Sequence, residues 1–518
     1  MAGRAQPIGH RGGLGAAAIV AALILGALIA VALRAEAGRG MGPSDWAAVR
    51  FTILQAALSA GCSVALAIPV ARALARRRFA GRRVLIALLG APFILPVIVA
   101  VLGLLAVFGR NGWISILLGW AGLPPLQIYG LHGVVLAHVF FNLPLATRLI
   151  LQGWQEIPAE RFRLAAQLGA GPRAMWRLLE RPMLRQIAPS VLAVVFAICL
   201  TSFAVALTLG GGPGATTIEL AIYQAFRFDF DLGRAALLSC IQILLTGIAA
   251  MVALRSSRGD GFGGGLDRPV QRWDAQGVLA RIGDGAIILF AAGFLLMPLA
   301  AIVLSGLAGL FGLPASVFAA TLNSVLVAAI STLVTLALAL PMAVTVALGR
   351  GAFVEFSGLL GLAASPLVIG TGFFVVVYPF VDPSLLSLPV TALVNGVMAL
   401  PFALRILVPR ARQVIDRNGR LALTLGMAGW PFLYRVLLPR MRPQIGFAAG
   451  LAAALSMGDL GVITLFADAE QATLPLQVFR LMGAYQMEAA AAAALVLLSM
   501  SMALFWLLDR GGRWHAEA

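Results

Sequence analysis

An aspartate inside an apolar run is the residue of this sequence with the clearest chemical potential. Asp459 interrupts the stretch A-A-G-L-A-A-A-L-S-M-G-D-L-G-V-I-T-L-F. A carboxylate within a bilayer costs about 2.5–3.5 kcal/mol on insertion scales, so it should face a helix-bundle interior or a watery cavity. Ser202 lies 257 residues earlier, and Asn142 lies inside another apolar run. We predict that these three side chains line or gate a path; hydrogen bonding to a neighbouring helix is the alternative role.

The sequence lacks the residues for several other kinds of chemistry. All 38 basic residues are arginine, so the glycine-rich segment 210–226 lacks the lysine of a phosphate-binding P-loop. His132 and His138 are six residues apart, which is off helical register, and this argues against a metal site. The three cysteines each lie in an apolar run and indicate no disulfide framework. We predict no catalytic residues, no cofactor, no metal and no ATP hydrolysis by this chain.

Composition indicates that these residues are positioned by membrane-spanning helices. The chain is 61% hydrophobic and 11% charged, with a mean hydropathy of +0.96, which is too apolar for a soluble domain. Spans of ~20 apolar residues suit a bilayer. Twelve such runs lie at about 14–33, 52–71, 84–108, 129–151, 188–209, 234–254, 284–306, 318–346, 356–380, 386–408, 443–465 and 488–508.

The arginines predict the orientation of the spans. A net charge of +17 could indicate nucleic acid, but the arginines lie in connections between apolar runs, where anionic lipid headgroups explain them better. With twelve alternating spans, all but seven of the 38 arginines fall on one side. The positive-inside rule makes that side cytoplasmic, with both termini on it. Segment 255–283, rich in glycine and charge, is then a cytoplasmic linker between halves 1–254 and 284–518.

Two charged segments repeat each other between apolar runs. The first is E-R-F-R-L-A-A-Q-L-G-A-G-P-R-A-M-W-R-L-L-E-R-P at 160–182, and the second is R-N-G-R-L-A-L-T-L-G-M-A-G-W-P-F-L-Y-R-V-L-L-P at 417–439. Among the residues that recur at an offset of 257 are Arg163, Leu164, Ala165, Gly169 and Pro182, and each copy has a glycine followed thirteen residues later by a proline. The repeat predicts a duplicated membrane protein. We call 156–186 the first elbow and 410–442 the second elbow.

Each elbow reads as two short helices joined at a glycine. Gly169 allows the turn that ends the first helix, and Pro172 suits the first turn of the next. Pro182 and Pro439 are expected to end the second helix. The external loops also repeat: Ala215-Thr216 returns as Ala472-Thr473, and we expect a short re-entrant helix after each.

The elbows resemble the EAA loop of binding-protein-dependent ABC importer permeases, whose pattern is E-A-A, three residues, G, nine residues and I-x-L-P. The glycine and proline hold in both copies, while the first positions and the I-x-L of the first copy depart from it. Other segments resemble the inner-membrane permeases of thiamine ABC transporters; they are I-L-P-V-I-V-A-V-L-G-L-L-A-V-F-G-R at 94–110, A-H-V-F-F-N-L-P-L-A at 137–146, 209–225 and S-M-G-D-L-G-V at 456–462.

The resemblance implies an all-α polytopic protein of the bacterial inner membrane with the type I ABC importer permease fold. Two homologous six-helix halves would give about 12 transmembrane helices. Two ATP-binding subunits would dock on the elbows, and a periplasmic binding protein would deliver thiamine or its phosphates. The residues implied to couple to the ATPases are Arg163, Leu164, Ala165, Gly169, Pro182, Arg420, Leu421, Ala422, Gly426 and Pro439.

Two alternative functions remain at this point. A fused ferric-iron ABC permease would share the duplicated layout. A secondary transporter driven by an ion gradient would need ionisable residues along several spans, and only Asp459 is well placed.

Overall fold

The computed structural model describes residues 7–35, 40–89, 94–256, 272, 276–349, 351–467 and 471–513, and within these ranges it is helical and contains no β-strand. The first half comprises twelve helices: α1 Arg11–Arg34, α2 Pro43–Arg76, α3 Arg82–Leu88, α4 Val97–Phe108, α5 Trp113–Trp120, α6 Leu131–Glu156, α7 Ala159–Gln167, α8 Pro172–Met175, α9 Arg181–Leu200, α10 Phe203–Leu209, α11 Ile218–Arg227 and α12 Leu232–Ser256.

The second half comprises eleven: α13 Val278–Gly309, α14 Ala315–Ala347, α15 Ala352–Ala363, α16 Pro366–Val377, α17 Ser387–Met398, α18 Leu400–Thr424, α19 Trp430–Phe432, α20 Leu438–Met457, α21 Gly461–Phe466, α22 Leu474–Gly483 and α23 Met487–Arg513. Helix α13 begins inside the predicted linker. Of that linker, only residues 255, 256, 272 and 276–283 lie among the described residues.

The membrane spans agree with the sequence-based count. In the described ranges, ten helices are long and apolar enough to cross a membrane, and two bent pairs raise the number to twelve. The bent pairs are α15 with α16 and α17 with α18, which match the predicted ninth and tenth spans. The third span differs from prediction, because its candidate crossing segment is Val97–Trp120 rather than 84–108.

The fifth and eleventh spans are both broken helices. Helix α9 ends at Leu200 and α10 begins at Phe203; α20 ends at Met457 and α21 begins at Gly461. Beyond each break, α10 or α21 leads to a second short helix, α11 or α22. The first backbone N–H of this second helix is held by a hydroxyl of another span. The Ile218 N–H donates to Thr52 Oγ1 at 2.8 Å, and the Leu474 N–H donates to Ser324 Oγ at 2.7 Å.

The starts of α11 and α22 correct one detail of the predicted repeat. The residues that precede α11 and α22 are Thr217 and Thr473, so the structural offset is 256 and not the 257 expected from Thr216. The loop of the first half therefore has one residue more between the break and the short helix. The counterpart in the second half of the glycine-rich segment 210–226 begins at Asp468, which lies outside the described residues.

The first helix of each half packs on the other half. Helix α1 contacts α14, α15 and α16, while α13 contacts α2 and α4. Glycines permit both crossings: a Cβ on Gly372 of α16 would lie 2.4 Å from the Ala27 carbonyl oxygen, and one on Gly103 of α4 would lie 2.5 Å from that of Pro298. The main apolar clusters consequently each contain residues from both halves, and the halves pack as one intertwined unit.

Candidate functional site

The turn at the centre of each elbow is built on a left-handed glycine, as predicted. Helix α7 ends at Gln167 and Gly169 has φ +72°; α18 ends at Thr424 and Gly426 has φ +68°. Pro172 starts α8, where the missing N–H costs little. The two copies therefore share one backbone device that reverses the chain at the elbow.

The prediction that Pro182 and Pro439 end the second elbow helix is wrong. A π-helical turn precedes each proline, at Trp176–Glu180 and at Leu433–Leu437, and the helix continues as α9 or α20 with the proline in its first turn. A wider turn at this point accommodates a residue that lacks an N–H and clashes with the preceding turn in a regular α-helix. The elbow is thus joined rigidly to the following span.

The second elbow also lacks one of the expected helix ends. In the first elbow, α6 ends at Glu156 and Pro158 precedes α7. In the second, α18 runs without interruption from the tenth span to Thr424. The residue equivalent to Pro158 is Ile415, which has an N–H and can stay in a helix.

Both elbows present leucines to solvent at equivalent positions. The exposed fractions are 57% for Leu164, 77% for Leu168, 60% for Leu421 and 65% for Leu425. Arg163 and Arg420 are exposed beside them, whereas Ala165 is half-buried and Ala422 is buried. Large apolar side chains that are exposed together, rimmed by charge, are typical of a protein interaction site.

A buried ion cluster anchors the first elbow. Glu180 is completely buried, and its carboxylate accepts hydrogen bonds from Arg72 Nε at 2.8 Å, Arg272 Nη2 at 2.8 Å and Trp154 Nε1 at 3.3 Å. Arg76 Nη2 lies 3.7 Å from the same carboxylate. These residues come from the ends of α2 and α6 and from the linker, so one side chain ties the elbow to three other segments.

Apolar contacts anchor the second elbow instead. The residue equivalent to Glu180 is Leu437, which is fully buried. For the second span of each half the repeat offset is 272 instead of 257. The positions equivalent to Arg72 and Arg76 are therefore the buried Val344 and Leu348. The two elbows thus have a similar backbone conformation, but ionic contacts anchor the first and apolar contacts anchor the second.

A residue that precedes the first helix of one half contacts each elbow. Arg272, six residues before α13, stacks on the Phe162 ring of the first elbow with its guanidinium 4.6 Å from the ring centroid. Pro7, four residues before α1, accepts a 2.6 Å hydrogen bond from the Gly429 N–H of the second elbow. The residues that precede each half's first helix therefore contact the elbow of the opposite half.

The helix breaks hold two of the three predicted path residues. Ser202 immediately precedes α10, and Asp459 lies between α20 and α21; both are half-buried. Asp459 Oδ1 accepts from the Gly461 N–H at 3.3 Å. Its other oxygen, Oδ2, is buried and accepts no hydrogen bond from the residues that the structure describes.

Asn142 is placed differently from the other two. It is buried on α6, and its Nδ2 donates to the His138 carbonyl oxygen at 2.9 Å and to Cys199 Sγ of α9 at 3.4 Å. These contacts favour the alternative role, a hydrogen bond that joins two helices.

Known proteins resemble this chain over nearly its whole length. No protein-family model matches the chain. It is 39% identical to a thiamine transport system permease protein of Brucella abortus (strain 2308), over 98% of this chain and 96% of that protein. The corresponding permease of Salmonella typhimurium is 38% identical over 98% and 97% of the two chains, and that of Escherichia coli is 37% identical over 90% and 89%.

The chain belongs to the thiamine transport system permease family. Members of this family are transport subunits rather than enzymes, as the sequence predicted. The double-length form is also confirmed, because the matches to these permeases extend over nearly the whole of both chains. The many apolar helices make this family member a multi-pass membrane protein.

Sequence reasoning missed two buried groups of this permease. Glu180 stands at the unspecified position of I-x-L-P and received no role, although a carboxylate there, together with Arg72 and Arg76, was a usable signal. His138 was considered only as a metal ligand. In the structure its Nε2 lies 2.7 Å from Ser202 Oγ, and its Nδ1 lies 3.1 Å from Ser59 Oγ.

Proposed function

We propose that this chain forms the translocation path for thiamine or its phosphates as the permease subunit of a binding-protein-dependent ABC importer in the bacterial inner membrane. The observation that carries the proposal is the end-to-end similarity to thiamine transport system permeases. The comparisons offer no support for a ferric-iron permease or an ion-coupled transporter.

Uptake measurements test the substrate. We expect cells from which the gene is deleted to lose energy-dependent uptake of labelled thiamine, and a plasmid copy to restore it. Competition by unlabelled thiamine, thiamine monophosphate and thiamine pyrophosphate then ranks the substrates. Equal uptake with and without the gene would refute the thiamine assignment and leave the fold unaffected.

The proposed partners are two ATP-binding subunits, one at each elbow, and a periplasmic binding protein on the opposite face. The exposed leucines at equivalent positions of the two elbows support docking of two similar subunits. Because each π-helical turn joins its elbow to α9 or α20, closure of the ATPase pair would move the broken spans directly. This motion would open the path outward, and the reset would release substrate inward.

The path itself is proposed to run past the breaks of the fifth and eleventh spans. Ser202 and Asp459 line it, and Asn142 supports α6 and α9 beside it. A single carboxylate suits a monocation such as a thiazolium, because several would bind it too tightly to release.

The orientation is proposed to have both elbows, the 255–283 linker and both termini in the cytoplasm. A reporter enzyme that is active only outside the cytoplasm should be silent when fused after Arg258 or Arg412. The same reporter should be active after Gly214, in the external loop. The opposite pattern at any of the three fusion points would overturn the proposed topology and the division into halves 1–254 and 284–518.

A further inference from the structure

The polar residues around the two helix breaks form a duplicated set. Around the break in the first half lies a set that we call the first quartet: Ser59, His138, Cys199 and Ser202. Around the break in the second half lies the second quartet: Ser331, Asn395, Ser456 and Asp459. Each residue of the second quartet is the repeat equivalent of one in the first, at an offset of 272 for the serines of α2 and α14 and 257 for the rest.

The first quartet is a neutral hydrogen-bonded chain. The His138 ring lies between Ser59 of α2 and Ser202 at the break, at the two distances given above. A neutral imidazole has one donor and one acceptor nitrogen, so this chain can orient the Ser202 hydroxyl either to donate or to accept. Both Ser59 and His138 are buried, whereas Ser202 is half-buried.

The second quartet occupies the equivalent positions with a different set of hydrogen bonds, and it ends in a carboxylate. Ser331 Oγ lies 2.9 Å from Ser456 Oγ, and Asn395 Nδ2 donates to Ser456 Oγ at 3.2 Å. Asn395 thus occupies the place of His138, and Asp459 the place of Ser202. A buried carboxylate oxygen that receives no hydrogen bond, as Oδ2 does within the described residues, is costly unless a cation approaches it.

The two helix breaks lie close to the contact between the two halves. Ala204 and Leu207 of α10 pack on the apolar cluster formed by Leu460, Ile463 and Ala467 beside the second break. Gly458, next to Asp459, approaches the first half so closely that a Cβ there would lie 3.1 Å from Pro96 Cα. The two quartets therefore lie beside one contact between the halves.

We propose that the two quartets form the walls of one binding site at the level of the helix breaks. The site takes a ligand with a single fixed positive charge at one end, facing Asp459, and a neutral hydrogen-bonding ring at the other, facing Ser202. His138 is a positioning residue that orients the Ser202 hydroxyl. This inference rests on the proposed function, and it assigns the ligand's charge to one half of the pseudo-symmetric path.

The test uses the full complex of permease, ATPase subunits and binding protein in vesicles, with thiamine and a neutral analogue whose thiazolium nitrogen is replaced by carbon. Both are supplied at concentrations that saturate the binding protein. Asp459→Ser should lower the amount of thiamine moved per ATP hydrolysed at least about tenfold, because it removes the ionic attraction between the carboxylate and the thiazolium. Movement of the neutral analogue should change less than about twofold, which a merely structural role would not produce.

Moving the charge across the path gives the decisive comparison. The double variant Ser202→Asp, Asp459→Ser places the single carboxylate in the first quartet and should recover most of the lost thiamine movement. A double variant no better than Asp459→Ser alone would overturn the shared site. So would an Asp459→Ser variant that moves thiamine and the analogue with equal losses.

Two further variants test the positioning residue His138. His138→Asn gives the first quartet the chemistry of the second and should retain coupled transport, whereas His138→Leu should lose it. The matched control is Thr335→Ala, because Thr335 joins α14 to the Gly396 carbonyl one turn from Ser331 without belonging to a quartet. If wild-type complex moves no thiamine, the proposed function fails. If it does, and His138→Leu behaves like the control, only the present inference fails.

Discussion

Replacement of Gly169 and Gly426 by valine in one chain should abolish most thiamine uptake while the protein still inserts in the membrane. Both glycines have left-handed φ angles, which cost an L-residue about 1–2 kcal/mol. No atom lies within 4 Å of a Cβ built at either position, so the effect is conformational and not steric crowding. A penalty of that size at each elbow lowers the population of the correct turn by roughly 5- to 30-fold.

Two control variants isolate the backbone effect. Gly171→Val lies two residues from Gly169, also has open space around its Cβ, and has an ordinary φ of −74°, so uptake should stay near wild type. Asparagine tolerates the left-handed region, so Gly169→Asn, Gly426→Asn should lose less than the valine pair. Uptake and ATPase co-purification that are unchanged in the valine double variant would show that the elbows are not the coupling elements.

The sequence predicted those features of this protein that depend on local or periodic patterns. Apolar runs of bilayer length predicted the spans, because in lipid a helix must satisfy its own backbone hydrogen bonds. The turn at Gly169 followed from a glycine placed after a short apolar face. The repeat offset of 257 predicted which residues of the two halves are equivalent, and the breaks at Ser202 and Asp459 confirm that equivalence.

Features that depend on packing between distant segments could not be predicted. A proline breaks a regular helix, so the prediction at Pro182 was reasonable, but a π-helical turn just before it removes the conflict. The exchange of α1 and α13 between halves leaves no periodic signal, because either half offers an apolar surface to a membrane helix. The contact of Arg272 with Glu180 spans 92 residues and joins a linker to an elbow.

Removal of the Glu180 carboxylate should strongly destabilise the first elbow. The side chains of Arg76 and Arg272 are 7% and 2% exposed, and Glu180→Ala removes a buried carboxylate that contacts both guanidinium groups. Loss of one partner of a buried ion pair typically costs about 3–5 kcal/mol. We expect a lower midpoint of thermal unfolding for the purified permease and faster proteolysis in the elbow. Leu437→Ala, which leaves only an apolar cavity, should cost about 2–5 kcal/mol without dependence on salt.

The second elbow supplies the design for a rescue. Glu180→Leu combined with Arg72→Val and Arg76→Leu reproduces the side chains found at Leu437, Val344 and Leu348, and Arg272→Ala removes the remaining cation. Well-packed apolar residues can replace a buried ion cluster at no loss of stability, so this variant should unfold near the wild-type midpoint although Glu180→Ala does not. It also removes the contact of Arg272 with the first elbow. If stability returns but thiamine moved per ATP falls, the Arg272 contact contributes to coupling. If Glu180→Ala is itself as stable as wild type, the ion cluster does not anchor the elbow.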